Sequence, residues 1–265
     1  MPRLSVDIDL TYLPIKNRSI SLNNIRSSLV RIKESLLKTI DGIKIFGPDE
    51  RKDQYKLFCS LKGVLVKVEV NTIMRGSIES PVIRQLCQKA QKEFGHFIEM
   101  SVIQKGQLYG GKICAALDRQ HPRDIFDIKY LFDNEGFTES VKRGFIFCLS
   151  GSDRPIHELM NPGLVDQQEV LKNQFPGMTE EIFTYNEFEE YRNKLIETVN
   201  NKLESRDREY LISLTEGKPD WSHYNFVDFP AIKWKLHNVK LLKQTNLKKH
   251  MKQLKELKKI LLLDS

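Results

Sequence analysis

Arg3-Leu4-Ser5-Val6-Asp7-Ile8-Asp9-Leu10 alternates polar and apolar side chains without a break. A period of two marks a strand with one buried face, and it sets Ser5, Asp7 and Asp9 together on the opposite one. Carboxylates two residues apart on a strand project side by side and offer oxygen ligands to one or two hard cations. The same Asp-x-Asp also fits a strand whose solvent face simply carries two acids, so the metal reading needs a further carboxylate.

A third acid lies in Gly63-Val64-Leu65-Val66-Lys67-Val68-Glu69-Val70, where every even position is valine and Lys67 and Glu69 share the other face. The outer face of an edge strand, where charges discourage aggregation, accounts for this pair on structural grounds alone. If the two strands are neighbours, Asp7, Asp9 and Glu69 make a two-metal site. One cation would then activate an attacking oxygen while the other holds a triphosphate and its leaving group.

Around these strands the pattern changes period. Ile25, Leu29, Ile32, Leu36 and Leu37 recur at helical spacing behind a cap at Ser21 or Asn23 and up to Asp41-Gly42. Residues 43–46, 55–61 and 64–70 read as strands, the last two joined by a hairpin turn at Lys62-Gly63. Past the glycine-bearing stretch at Arg75-Gly76, residues 97–103 read as one more strand. From Gln107 the spacing is helical, with Lys112, Ala115, Ala116 and Arg119 on a face directed at the sheet, and Pro122 opens another helix at its first turn. Beyond Thr138 almost everything is helical, including 185–204, with loops at Arg154-Pro155, Asn161-Pro162-Gly163 and Lys218-Pro219-Asp220. The expectation is an α+β protein, with an N-terminal mixed-sheet domain over residues 1–140 and a C-terminal helical bundle over 141–265.

A chain of 265 residues, 40% of them hydrophobic, can bury a sizeable core. Lys and Arg outnumber Asp and Glu by 42 to 35, a formal charge of +7, which favours polyanionic partners such as NTPs or RNA. Cys59, Cys87, Cys114 and Cys148 show no metal-ligand spacing, which leaves reduced structural thiols rather than a zinc site or a disulfide framework. No charged segment followed by an apolar one opens the chain, and the apolar run at 260–263 is far too short to span a bilayer. A cytoplasmic protein without membrane contact is expected.

The Arg3-x-Ser5-x-Asp7-x-Asp9 strand resembles the R-x-S-x-D-x-D strand of the AbiEii-type nucleotidyltransferase toxins. These are polymerase-β-like nucleotidyltransferases of type IV toxin–antitoxin and abortive-infection systems. The likeness runs on through Lys67-x-Glu69 into Lys112-x-x-Ala115, Arg119 and Arg123-Asp124-x-x-Asp127, similar to that family's K-x-x-A…R-x-x-x-R-D-x-x-D block. Weaker echoes follow at Arg154-Pro155, Gly217 to Trp221 and Phe229-Pro230-Ala231, so it covers nearly the whole chain.

The resemblance implies a metal-dependent transfer of a nucleotidyl group from an NTP to an RNA (tRNA-like) or protein acceptor, with a cognate antitoxin as partner. It assigns Asp7, Asp9 and Glu69 to Mg²⁺ (or Mn²⁺) and Lys112 to the NTP phosphates, with Asp127, alongside Asp124, completing the site. Arg3, Ser5, Lys112, Arg123 and Asp124 would contact the nucleotide. Side-chain chemistry agrees for Lys112, a point charge suited to phosphate. Arg123 and Asp127 stand one helical turn apart and can support each other, although an ordinary surface ion-pair cluster explains Arg123-Asp124 as well. In the family a Gly-Gly/Ser turn and helix precede the strand, where small residues let backbone N–H groups approach the triphosphate. This sequence opens two residues before Arg3, so the expectation is either a start further upstream or weakened nucleotide binding.

Between residues 240 and 259 eight lysines stand among leucines at helical spacing, with Glu256 the single acid. The outer face of a bundle helix explains them; an electrostatic track for an RNA acceptor is the sharper reading. Two other functions compete with nucleotidyl transfer. A restriction-like nuclease places Glu before Lys as E-x-K, the reverse of Lys67-x-Glu69. A catalytically degenerate nucleotidyltransferase fold, binding RNA or a protein partner without catalysis, would keep the same sequence blocks.

Overall fold

The computed structural model describes residues 3, 5, 7–48 and 54–261. Strand β1 (Asp7–Thr11) feeds a 22-residue helix, α1 (Arg18–Thr39), and β2 (Lys44–Phe46), β3 (Lys56–Leu61) and β4 (Val64–Asn71) follow. Their order in the sheet is β1-β4-β3-β2, with β1 parallel to β4 and the other pairs antiparallel, so the expected mixed sheet is present. A long return that includes α1 is what allows two strands of one sheet to run parallel. Lys62 and Gly63 turn β3 into β4 with φ of 48° and 83°, the left-handed pair that a two-residue hairpin demands. Leu4 and Val6 of the expected first strand, and Leu262 and Leu263 of the late apolar run, lie outside the described residues.

Alternation along β4 decides which side of the sheet is covered. Val68 and Val70 enter a small core with Leu57 from β3 and Ile25 and Leu29 from α1. Full burial of a side chain of this size contributes about 1.5–3 kcal/mol. The helix begins before its apolar pattern does: Asn17, rather than Ser21 or Asn23, is the cap, and its side-chain oxygen accepts from the Ile20 N–H at 2.9 Å. Ser21 is buried inside the helix instead. The opposite sheet face turns Asp7, Asp9, Lys67 and Glu69 towards solvent.

β5 (Val82–Gln85) and β6 (Glu99–Val102) form a separate antiparallel ribbon with the short helix α2 (Gln88–Phe94) between them. Sequence periodicity marks only the second of these strands, at residues 97–103. The remainder is helical: α3 (Lys105–Arg119), α4 (Pro122–Asn134), α5 (Glu139–Ser150), α6 (Ile156–Met160), α7 (Gln168–Gln174), α8 (Tyr185–Asn201), α9 (Ser205–Glu216), α10 (Pro230–Thr245) and α11 (Leu247–Leu261). Ile113 of α3 and Phe126 of α4 share one core with Phe145 of α5, Leu195 of α8 and Leu257 of α11. This helical core draws on residues from α3 through α11.

Nor does α3 press an alanine stripe onto the sheet. It packs on α5, where Gly106 and Gly110 meet Gly144 with backbone against backbone. A Cβ on Gly110 would collide with the Gly144 carbonyl, and one on Gly144 with the Gly106 carbonyl. Helical spacing shows which side chains share a face but not what lies opposite it. Gly144→Ala should therefore lower the unfolding free energy by about 1–3 kcal/mol, the range for overpacking. Gly111→Ala, whose new Cβ would find only Cys148 Sγ at 4.0 Å, should raise it by up to about 1 kcal/mol through helix propensity. Urea unfolding reads both, and equal midpoints for the two variants would contradict the close crossing.

Candidate active site

β1 and β4 run in register, with Asp7 beside Lys67 and Asp9 beside Glu69. Paired residues of adjacent strands project to the same face, so the three carboxylates stand together on one side of the sheet. Lys67 stands among them, with Nζ 2.8 Å from Glu69 Oε2 and 3.3 Å from Asp7 Oδ2. The hydrogen bond to Glu69 first, and then that to Asp7, hold the Lys67 ammonium above the ordinary lysine value against an opposing effect of burial.

Among the described residues no three His, Cys, Asp or Glu side chains converge as a metal site. The donor chemistry of Asp7, Asp9 and Glu69 nonetheless fits a hard cation: it is oxygen only, open to solvent, and already accepts an ammonium between two of its members. A divalent ion shared by Asp7 and Glu69 requires Lys67 to withdraw.

Around Arg3, four residues before β1, lies a second charged cluster. Asp127 of α4 is 2% exposed and receives Arg3 through a fork, Nε to Oδ1 at 2.6 Å and Nη2 to Oδ2 at 2.7 Å. Lys112 of α3 donates to Asp127 Oδ2 at 2.6 Å. The hydrogen bond to Asp127 is the largest influence on the Arg3 guanidinium and raises it above its ordinary value. A β-bridge from Arg3 to Thr179 fixes the backbone at the same point.

The expected support of Asp127 by Arg123 does not form. Arg123 is exposed, whereas Asp127 lies on the buried side of α4 with Ile128 and Leu131, where its partners come from other elements. Asp124 accepts from Arg119 instead, at 2.8 and 3.0 Å, on the helix surface. Ser5 is exposed, and its hydroxyl reaches the Asp7 carbonyl at 3.4 Å. Arg154, one of the weaker sequence echoes, pairs with Asp118 at 2.5 Å.

Sequence periodicity gave no sign of Gln107, which is 6% exposed and holds the loop after β4 onto α3. Its Oε1 accepts from the Ile78 N–H at 2.9 Å and the Ser77 hydroxyl at 3.2 Å, and its Nε2 donates to the Gly76 carbonyl at 3.1 Å. A contact between a loop and a helix some thirty positions away leaves no local pattern.

A family model described as "Nucleotidyl transferase AbiEii toxin, Type IV TA system" matches residues 1–238, spanning both the sheet and most of the helices. The chain belongs to the AbiEii nucleotidyl transferase toxin family. No curated protein and no solved structure matches it. In this AbiEii chain both charged clusters fall inside the matched region, and no helix among the described residues is long and apolar enough to cross a membrane.

Asp127→Asn keeps the shape of the buried group but leaves Arg3 and Lys112 facing a neutral amide. Removing one partner from a buried ionic cluster costs about 3 kcal/mol, and urea unfolding should show a loss of that order. Arg119→Ala, which breaks the exposed pair with Asp124, should cost less than about 1 kcal/mol. Similar small losses for both would show that the buried fork does not hold Arg3 against the helices.

Proposed function

We propose that the open face around Asp7, Asp9 and Glu69 is a nucleotidyl-transfer site acting on an NTP with Mg²⁺ or Mn²⁺. The acceptor is an RNA of tRNA type or a protein, and the setting is the cytoplasm, where a cognate antitoxin holds the activity in check. The observation that carries this reading is the pairing of Asp9 with Glu69 beside Asp7 on adjacent strands, with the Lys112 ammonium held by Asp127, the carboxylate that also receives Arg3. Membership of a nucleotidyl transferase toxin family supports it.

Asp7, Asp9 and Glu69 are the residues that would hold the cation, which when bound neutralises triphosphate charge and activates the attacking oxygen. Lys67 balances these carboxylates in the free protein. Lys112 offers its positive charge to the phosphates, and Asp127 is a positioning residue that holds Lys112 and Arg3 in place. Ser5, Arg123 and Asp124 are the remaining candidates for nucleotide contact. The lysines of α11, among them the exposed Lys248, Lys249 and Lys252, provide sequence-independent attraction for RNA phosphates.

Incubation with labelled NTPs, Mg²⁺ and total RNA tests the proposal. Asp9→Ala should reduce label transfer by orders of magnitude and abolish toxicity in cells, while stability holds or rises as carboxylate repulsion is relieved. Lys112→Ala should weaken NTP binding and turnover together, since an ammonium facing phosphate acts in both ground and transition states. Replacing Lys248, Lys249 and Lys252 by Gln should leave NTP binding intact and weaken RNA binding with a shallower salt dependence. Full transfer and toxicity in Asp9→Ala would refute the mechanism. RNA binding without transfer by either wild type or variant would put the non-catalytic reading in its place.

A further inference from the structure

Beyond the C-terminal ends of β1 and β4 lies a cavity of about 1220 Å³, bounded on its far side by the first turns of α10. Asp7, Asp9, Glu69 and Lys112 do not line it. Lys16, Arg18, Arg75 and Lys233 do, and the one acid on its wall among the described residues, Asp228, already pairs with Lys233 at 3.0 Å.

Arg75 is the unusual member. It is 5% exposed, and its Nε and Nη1 atoms are shut away from water without a hydrogen-bond partner. A guanidinium stays charged in proteins, and a buried charge without a counter-ion carries a heavy desolvation penalty. Burial, with the nearby charge of Arg18, holds Arg75 below the ordinary arginine value. The backbone beneath it is fixed. Gly76, at φ +93°, is wedged against the Phe229 ring and Ile15, and its N–H donates to the Tyr12 carbonyl at 2.8 Å. Its carbonyl accepts from Gln107. Among the described residues no acid pairs with Arg75, and the buried guanidinium calls for an anion.

Two features narrow the anion's identity. Arg18 is the first residue of α1, whose first turn holds no acid, so the positive end of a 22-residue helix adds to the cationic wall. Trp234, 54% exposed, stacks on His237 with ring centroids 5.5 Å apart and 19° between planes. An exposed aromatic face beside a cationic groove suits a nucleobase attached to a phosphate.

We propose that this cavity is a nucleotide-phosphate site separate from the carboxylate face, in which Arg75 and Arg18 receive a phosphate and Trp234 stacks on the adjoining base. The site goes beyond the transfer reaction and stands or falls independently of it. The phosphate is one carried either by a mononucleotide or by an RNA strand, and the ligands of the test separate the two.

Calorimetry on the full chain in EDTA, without divalent cations, uses inorganic phosphate, AMP and a 5′-phosphorylated tetraribonucleotide as probes. The wild type should bind AMP or the oligonucleotide more tightly than phosphate, and preference between these two identifies the source. Arg75→Met should weaken binding at least tenfold yet raise the melting temperature of the free protein, because a buried unpaired charge is removed. Arg18→Ala, altering an exposed residue, should weaken all ligands. Trp234→Ala should weaken only those carrying a base, and Asp9→Ala should bind as the wild type does. Absence of binding to the wild type, undiminished binding in both arginine variants, or loss of binding in Asp9→Ala would each overturn the proposal.

Discussion

Asp127 is a carboxylate 2% exposed to solvent, and its charge must be matched inside the protein. It is matched by Arg3, four residues before β1, and by Lys112 of α3, so Arg3 is joined to α3 and α4 through a shared anion. Ion pairs of this kind add little net stability over a well-packed apolar alternative, but breaking them leaves buried charges uncompensated. The consequence is geometric: neither Lys112 nor Arg3 can move away from Asp127 without leaving charges unmatched.

Along β1 and its parallel neighbour β4 three electrostatic environments then follow one another. At the entry, an anion is enclosed by cations. On the open face, three acids are balanced in part by Lys67. Past the C-terminal ends, cations gather around Arg75, and Asp228 on the same wall is already committed to Lys233. Parallel pairing makes this sequence possible, because both strands release their chains at the same end and their loops line a common crevice there. The α3–α5 glycine crossing matters to the same arrangement, since α3 carries both Lys112 and the Gln107 that clamps the loop leading out of β4.

Much of the strand layout was legible beforehand. Valines at even positions in β4 announced a face against a core, and Lys62-Gly63 announced the hairpin. Pro122 at the first turn of α4 and the solvent-facing acids of β1 and β4 likewise needed only local rules. The errors have a common source. Ser21 and Asn23 seemed adequate caps because the apolar repeat begins near them, yet the true cap, Asn17, lies a turn earlier where the helix is still polar. Arg123 satisfied the spacing for a pair with Asp127, but spacing is silent about burial, and the buried carboxylate turned to Arg3, 124 positions away in sequence.

Sequence by itself determined which residues share a face, because strand and helix periods are properties of the local backbone, and it preserved the blocks that place the chain in its family. Tertiary structure alone decided what each face meets. It set α3 against α5 rather than the sheet, put an ammonium between Glu69 and Asp7, and left Arg75 buried with its Nε and Nη1 lacking a hydrogen-bond partner among the described residues. Those outcomes depend on contacts between elements distant along the chain, whose formation is governed by the packing and desolvation of the whole assembly, and no local repeat records them.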